Sequence, residues 1–272
     1  MIDVHTLALE LVAAYAERRP LAIPPSTRDG LDLATAYIVE AELVRMRREA
    51  GRTTTGVKVG FANKAVWRVM KLDTLVWAHM YDDTVHWAPD GIASLALGGM
   101  SAPKIEPEII FKLRHPPSGE LDNPAVVLAA VEWLAAGFEI VDCPYPGWKF
   151  TPPDFVAAFG LHAGLIVGPP LRFSTAAIPA LAEQLAAVRV GLLKSGRVVA
   201  EGSGRNVLGN PALSLGELAA GLARQHGAEP LAAGELIATG ALTDNQFIAP
   251  GESWTAVLDG LGVAELTLHT TP

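Results

Sequence analysis

Thiols are nearly absent from this 272-residue chain, in which Cys143 stands alone. A single cysteine excludes an intrachain disulfide and a thiolate zinc cluster. It lies between Asp142 and Pro144 with no histidine close in sequence, the setting of a buried structural thiol rather than of a nucleophile. The seven histidines form no His-Glu-x-x-His helix and no pair at ligand spacing, which argues against a histidine-based zinc site. Gly202-Ser203-Gly204 is too short for a serine-hydrolase elbow, and the glycines of 201–211 lack the Lys-Ser/Thr of a phosphate loop. That segment reads as a shaped loop for substrate or for an oligomer contact.

Positive charge is scarce too. Lysine and arginine number 21 against 29 aspartates and glutamates, a formal net charge of −8. Binding a phosphate backbone needs clustered basic residues, so no nucleic-acid partner is expected. The one dense basic stretch, Arg45-Met46-Arg47-Arg48, has Glu42 and Glu49 beside it and reads as the solvated end of a helix. Long apolar runs are missing as well; Glu132, for one, interrupts the run from Ala125, and no membrane span is expected. Met1-Ile2-Asp3-Val4-His5 has neither the basic start nor the apolar core of a signal peptide, so the expectation is a cytoplasmic protein.

What the chain has is apolar bulk. Half of its residues are hydrophobic and 18% are charged, enough for a sizeable core without disulfides. Leu7, Leu11, Val12, Ala14 and Tyr15 recur at helical spacing over 3–18, and Leu33, Tyr37, Ala41 and Val44 do so over 32–50, with Gly51 as the stop. A strand pattern follows over 54–61, and Asn63 has the placing of an N-cap for a short helix. Beyond about residue 80, short β-type runs dominate: 84–87, 104–113, 137–143, 164–167, 188–194, 198–202, 235–239, 253–258 and 262–268. Helices are expected at 124–135, 175–185 and 214–226. The order is not the regular βα alternation of a doubly wound sheet. The reading is an α+β protein with a helical N-terminal cap region over 1–75 and a β-rich catalytic body over 76–272, together one compact unit.

The most informative segment is Lys104-Ile105-Glu106-Pro107-Glu108-Ile109-Ile110-Phe111. On a strand Glu106 and Glu108 share one face while Pro107 takes the other and offers no backbone donor. Two carboxylates about 7 Å apart at Cα repel unless a cation lies between them. Glu139 sits among Gly137, Phe138, Ile140 and Val141, an apolar setting in which an unpaired carboxylate is costly. Three acidic groups from two strands would suit a hard divalent ion, Mg²⁺ or Mn²⁺, although glutamates alternating along a strand also form ordinary solvated faces. Lys58, in Gly56-Val57-Lys58-Val59-Gly60, is a lone cation in a similar apolar run. Asp82 and Asp83 follow an aromatic run, where adjacent aspartates commonly form turns.

With these residues assembled, the chain resembles the fumarylacetoacetase-like superfamily, within it the branch of 2-hydroxypentadienoate hydratases and 4-oxalocrotonate decarboxylases. Ala36-Tyr37, Gly56-Val57-Lys58-Val59-Gly60, Tyr81-Asp82-Asp83, Glu106-Pro107-Glu108-Ile109, Glu139-Ile140-Val141-Asp142, Leu208-Gly209-Asn210-Pro211, Thr239-Gly240 and Pro250-Gly251 stand in the family's order. The resemblance implies a mixed β-roll, a homo-oligomer, and Mg²⁺ or Mn²⁺ held by Glu106, Glu108 and Glu139. It implies Lys58 beside the substrate, an acidic residue from Asp82 or Asp83 close by, and Leu208, Gly209 and Thr239 at the substrate; His162, in a stretch that departs from the family, is a further substrate-binding candidate, with a core or interface histidine as the other reading. The implied reaction hydrates a 2-hydroxydienoic or 2-oxo-enoic acid to a 4-hydroxy-2-oxo acid. The alternatives are decarboxylation of a 2-oxo-3-enedioate, acylpyruvate hydrolysis, for which only His5 and Glu10 offer a helical His-Glu pair, and a non-catalytic structural subunit. One departure bears on substrate: a polar Ala-Asp-Asn-Ala-Ser-Ser stretch of the branch is replaced by Ala157-Ala158-Phe159-Gly160-Leu161-His162. The Asp-Ser-Arg usual after the third carboxylate is likewise Asp142-Cys143-Pro144 here.

Overall fold

The computed structural model describes residues 2–272. It begins with α1 (Val4–Ala16), α2 (Pro25–Arg28), α3 (Leu33–Glu49), β1 (Thr54–Gly60), α4 (Lys64–Met70), β2 (Val76–Tyr81), β3 (Val85–Trp87) and β4 (Ile92–Ala96). Next come β5 (Lys104–Leu113), α5 (Pro124–Leu128), β6 (Val131–Val141), α6 (Pro152–Ala157), β7 (His162–Val167) and β8 (Leu171–Arg172). The remainder is α7 (Ile178–Ala187), β9 (Arg189–Lys194), β10 (Arg197–Ser203), α8 (Pro211–Arg224), β11 (Leu236–Ala238), β12 (Gln246–Phe247), β13 (Ser253–Asp259) and β14 (Leu266–Thr271). This is the expected α+β architecture, with helices leading into a body of sheets.

Local chemistry fixes the helix starts. The side chains of Asp3, Asp32 and Asn63 accept hydrogen bonds from the N–H groups of Thr6, Thr35 and Ala65, capping α1, α3 and α4. A nine-stranded sheet runs β2-β1-β11-β5-β6-β7-β3, with β12 pairing on β5 and β8 on β6; a five-stranded sheet runs β10-β9-β13-β14-β4. The strand β1, which follows the cap helices in sequence, is thus built into the large sheet beside β11. It approaches β11 so closely that a Cβ at Gly56 would lie 1.9 Å from Leu236 O, which only glycine permits. One core joins cap and body: Leu7, Leu11 and Leu43 belong to the same buried cluster as Val57, Phe111 and Phe138.

Two expectations are corrected. The helix expected over 124–135 ends at Leu128, and Val131–Val141 is strand β6. Every residue of β6 except Glu132 is buried, so the strand is covered on both faces and shows no alternation. The strand expected over 262–268 begins at Leu266 instead.

The central pair, β5 and β6, is antiparallel with Glu106 opposite Glu139 and Glu108 opposite Gly137. On its other edge, β5 meets β11 at Ile110 to Lys112 and β12 at Lys104 and Ile105. Between these two pairings the chain 239–245 crosses the gap, donating from Leu242 N to Pro107 O at 2.9 Å. Pro107 has no N–H to leave unpaired there.

Candidate metal centre and active site

Strand register brings three carboxylates together. Oxygens of Glu106, Glu108 and Glu139 lie within 4.8 Å of one another. Glu108 and Glu139 are wholly buried, whereas Glu106 keeps some exposure at the wall of a cavity of about 480 Å³. Lys58 comes from β1, 2% exposed, with Nζ 2.9 Å from Glu139 Oε2. Its hydrogen bond is donated to Gly160 O at 3.0 Å.

Each carboxylate is held by a different donor. Gly240 N donates to Glu108 Oε2 at 2.9 Å, and Asn245 Nδ2 to Glu106 Oε1 at 3.0 Å. His162 Nδ1 lies 2.9 Å from Glu139 Oε1, while its Nε2 lies 2.9 Å from Thr84 Oγ1. Glu108 Oε1 is buried with no hydrogen-bond partner, and Glu139 Oε2 has only the Lys58 ammonium, at 2.9 Å. A buried acceptor without a partner is costly, and a hard cation would satisfy Glu108 Oε1.

Electrostatics agree with the geometry. Burial, then the neighbouring charge of Glu139, raises Glu106 above the usual carboxylate range. Burial followed by Glu139 and Glu106 raises Glu108 well above it. Burial also works against ionisation of Glu139, but Lys58 and His162 outweigh it and hold that carboxyl below its ordinary value. Burial opposes the charge on Lys58, and Glu139, Glu106 and Glu108 overcome it, so its pKa is raised. Three carboxylates facing one ammonium leave a surplus of negative charge that suits a divalent ion. The donor set, hard oxygens with Glu108 Oε1 unsatisfied, fits Mg²⁺ or Mn²⁺.

The other expected site residues fall elsewhere. Asp82 and Asp83 occupy the turn between β2 and β3 and do not line the cavity. Asp82 accepts from Thr53 N at 3.1 Å, and Asp83 pairs with Arg47 at 2.5 Å and Arg52 at 3.2 Å. His162 lies behind Glu139 rather than in the main cavity, and faces a smaller one of about 310 Å³ with Tyr15, Arg47 and Tyr81. Leu208 donates its N–H to Ala62 O at 2.9 Å, and neither it nor Gly209 lines the main cavity. Thr239 is buried, its Oγ1 donating to Ile109 O at 2.9 Å, and it sets up Gly240. His5 pairs with Glu42, and Glu10 with Arg28, both on the surface of the cap. They supply no base to the cavity.

The divergent stretch 157–162 is built into the site. Gly160, at φ +60°, provides the carbonyl that receives Lys58, and a Cβ there would lie 2.9 Å from Lys58 Cδ. Sequence reasoning missed Gly160, Gly240 and Asn245, whose contributions come through backbone groups or across long separations. It also missed Lys104, which shares the strand face of Glu106 and Glu108.

No protein-family model matches the chain. Among curated proteins it is 32% identical over 245 residues to a 4-oxalocrotonate decarboxylase of a Pseudomonas species, covering 89% of each chain. The chain belongs to this hydratase and decarboxylase family. A 2-hydroxyhexa-2,4-dienoate hydratase from Comamonas testosteroni is 29% identical over 97% of this chain and 96% of its own length. The solved structure of the 4-oxalocrotonate decarboxylase from Pseudomonas putida G7, complexed with magnesium and adipate, superposes with a TM-score of 0.85 at 26% identity. That match covers 98% of this chain and 97% of the other. A fumarylpyruvate hydrolase from Pseudomonas aeruginosa, solved with Mn²⁺ and pyruvate, matches 79% of this chain and 88% of its own at a TM-score of 0.57 and 14% identity, a likeness of fold alone. Within the family, the β-roll expected from the resemblance is the architecture observed.

Proposed function

We propose that the protein is a metal-dependent hydro-lyase, adding water across the carbon–carbon double bond of a 2-oxo-enoic acid, formed from its 2-hydroxydienoic tautomer, to give a 4-hydroxy-2-oxo acid. The observation that carries this reading is the trio Glu106, Glu108 and Glu139 with Lys58 against it, Glu106 and Lys58 lining one cavity. In this proposal the three glutamates hold Mg²⁺ or Mn²⁺. The ion, when bound, acts as a Lewis acid towards the carboxylate and C2 oxygen of the substrate. Lys58 faces that position and holds or moves the proton exchanged at the 2-oxo/2-enol group. His162 and Gly160 keep Glu139 and Lys58 in place, and Phe61, Trp148, Phe150 and Phe155 exclude water around the carbon chain. Asp82 and Asp83 are given a structural role in the turn, in keeping with their partners. The membership of hydratases in this family supports the assignment.

A second reading, loss of CO₂ from a 2-oxo-3-enedioate, uses the same chelation and differs in the distal end of the substrate. The decarboxylases among the relatives favour it, as does the cation Lys104 in the cavity wall. Titration calorimetry of oxalate, a mimic of the enolised 2-oxo acid, tests the shared core of both. Binding is expected with Mg²⁺ and not without it; metal-independent binding, or none, would refute the chelate site. We also propose that the protein is a cytoplasmic homo-oligomer; cell fractionation that recovers it from the envelope would refute the location.

A further inference from the structure

A second cavity, of about 550 Å³, lies between α3, β2 and the C-terminal end of α8, and it shares no lining residue with the main one. Its inner wall is apolar: Tyr37, Val44, Trp77 and Leu222 are each more than nine-tenths buried. Glu40 lines the same wall and is only 6% exposed. Its Oε1 accepts the backbone N–H of His79 and lies against His79 Nδ1. Its Oε2 accepts from no group among the described residues. A carboxylate oxygen at that depth needs a donor, and the cavity that Glu40 lines is where one can enter. Strand register separates this place from the metal centre. β1 and β2 pair Lys58 with Ala78 and Val57 with His79, so alternation puts His79 on the sheet face opposite Lys58.

Charge decides what fits there. Three carboxylates line the cavity, Glu40, Glu49 and Glu229, against two guanidinium groups, Arg45 and Arg48. Both guanidinium groups are already engaged. Arg48 donates to both oxygens of Glu229, at 2.6 and 2.8 Å, and Arg45 donates to Glu42 and Glu49. An anion would have to displace one of those carboxylates, whereas a cation meets Glu40 Oε2 free. We propose that this cavity binds a small organic amine in its ammonium form, donating to Glu40 Oε2 and packing its apolar body on Tyr37, Trp77 and Leu222. An ammonium on a carboxylate makes a charge-assisted hydrogen bond, and aromatic neighbours favour a cation further. The volume is that of an ordinary small-molecule site. The proposal is independent of the metal and of the reaction at the main cavity.

Three probes of similar size and different charge test it by titration calorimetry on the full chain: 2-phenylethylammonium, 2-phenylethanol and 3-phenylpropanoate. The ammonium is expected to bind at least about tenfold more tightly than the alcohol, the worth of one charge-assisted contact, and the carboxylate most weakly. Its affinity is expected to be the same with and without Mg²⁺. Glu40→Gln is expected to bring the ammonium down to the affinity of the alcohol. Ala41 is an exposed residue of the cavity wall, so Ala41→Trp adds bulk there without touching the Glu40–His79 pair. That variant is expected to lose ammonium binding while keeping the wild-type melting temperature. Binding of the alcohol or the carboxylate as tight as that of the ammonium overturns the proposal. So does ammonium binding that survives Ala41→Trp. Binding that Mg²⁺ abolishes places the amine at the carboxylate cluster and overturns it too, and no binding of any probe is the mark of a cavity that holds water alone.

Discussion

Glu108 shows how a single buried carboxyl group reports on a metal. One of its oxygens takes the Gly240 N–H and the other takes nothing, while burial and two neighbouring carboxylates keep it protonated more readily than an ordinary glutamate. Replacing it by glutamine therefore costs the metal-free protein little and removes a ligand. Glu108→Gln is expected to leave the melting temperature without metal unchanged or slightly higher. The rise in melting temperature that Mg²⁺ gives the wild-type protein is expected to vanish, since a ligand stabilises only through the affinity it has for the folded state. Metal affinity is expected to fall roughly a hundredfold; an undiminished Mg²⁺ shift in scanning calorimetry would remove Glu108 from the ligand set. Lys58→Met, by contrast, is expected to retain Mg²⁺ and lose about a hundredfold or more in turnover, the usual worth of a proton-transferring group. The carboxylates were legible in the sequence because strand alternation is strict and because charge in an apolar run is conspicuous. Gly160 and Gly240 were not, since a backbone donor or acceptor carries no mark in the residue name.

At the scale of elements, the junction of α3 with β2 is the clearest case of a pairing that spacing does not announce. Glu40 on α3 accepts from His79 N at 3.1 Å and lies 2.7 Å from His79 Nδ1, while Tyr37 stacks on Trp77 with ring centroids 4.4 Å apart. Burial opposes protonation of His79, but its hydrogen bond and charge attraction to Glu40 outweigh that and raise its pKa. A raised folded-state pKa means that the stabilisation is fully present below the unfolded value near 6.5 and is lost as pH climbs through the higher folded value. His79→Gln is expected to lower stability by about 1.5–3 kcal/mol at pH 6, the range for a hydrogen bond to a charged group, and by less at pH 9. A penalty from urea unfolding that stays constant across this interval would show that the pair does not titrate as described. The strand β6 illustrates the opposite limit of sequence reading. Covered on both faces, it has the composition of a buried helix as much as of a strand, and only its ladder with β5 decides the matter.

For the whole molecule, both sheets end in short strands that show apolar side chains to solvent. Trp87 on β3 is 56% exposed and Ile92 on β4 is 61% exposed. Exposed apolar groups on edge strands are a liability in a monomer and an asset at an interface between subunits. Light scattering on the purified protein is expected to give a mass at a multiple of 28.7 kDa. A monomer at micromolar concentration would leave these edges without a purpose and would overturn the oligomer proposal. The division of labour within the chain is plainer. The carboxylates sit on a continuous ladder, whereas the cavity wall beside them is the crossing chain 239–245, which spans the gap between β11 and β12 over Pro107. That crossing is a replaceable part. Side chains at 241, 243 and 244 can vary with little effect on the register of β5 against β6, so a library confined to these positions, with Gly240 and Asn245 kept, would diversify substrate choice on an unchanged metal cage. The same gap offers a natural place for a lineage to change diet without learning to fold again.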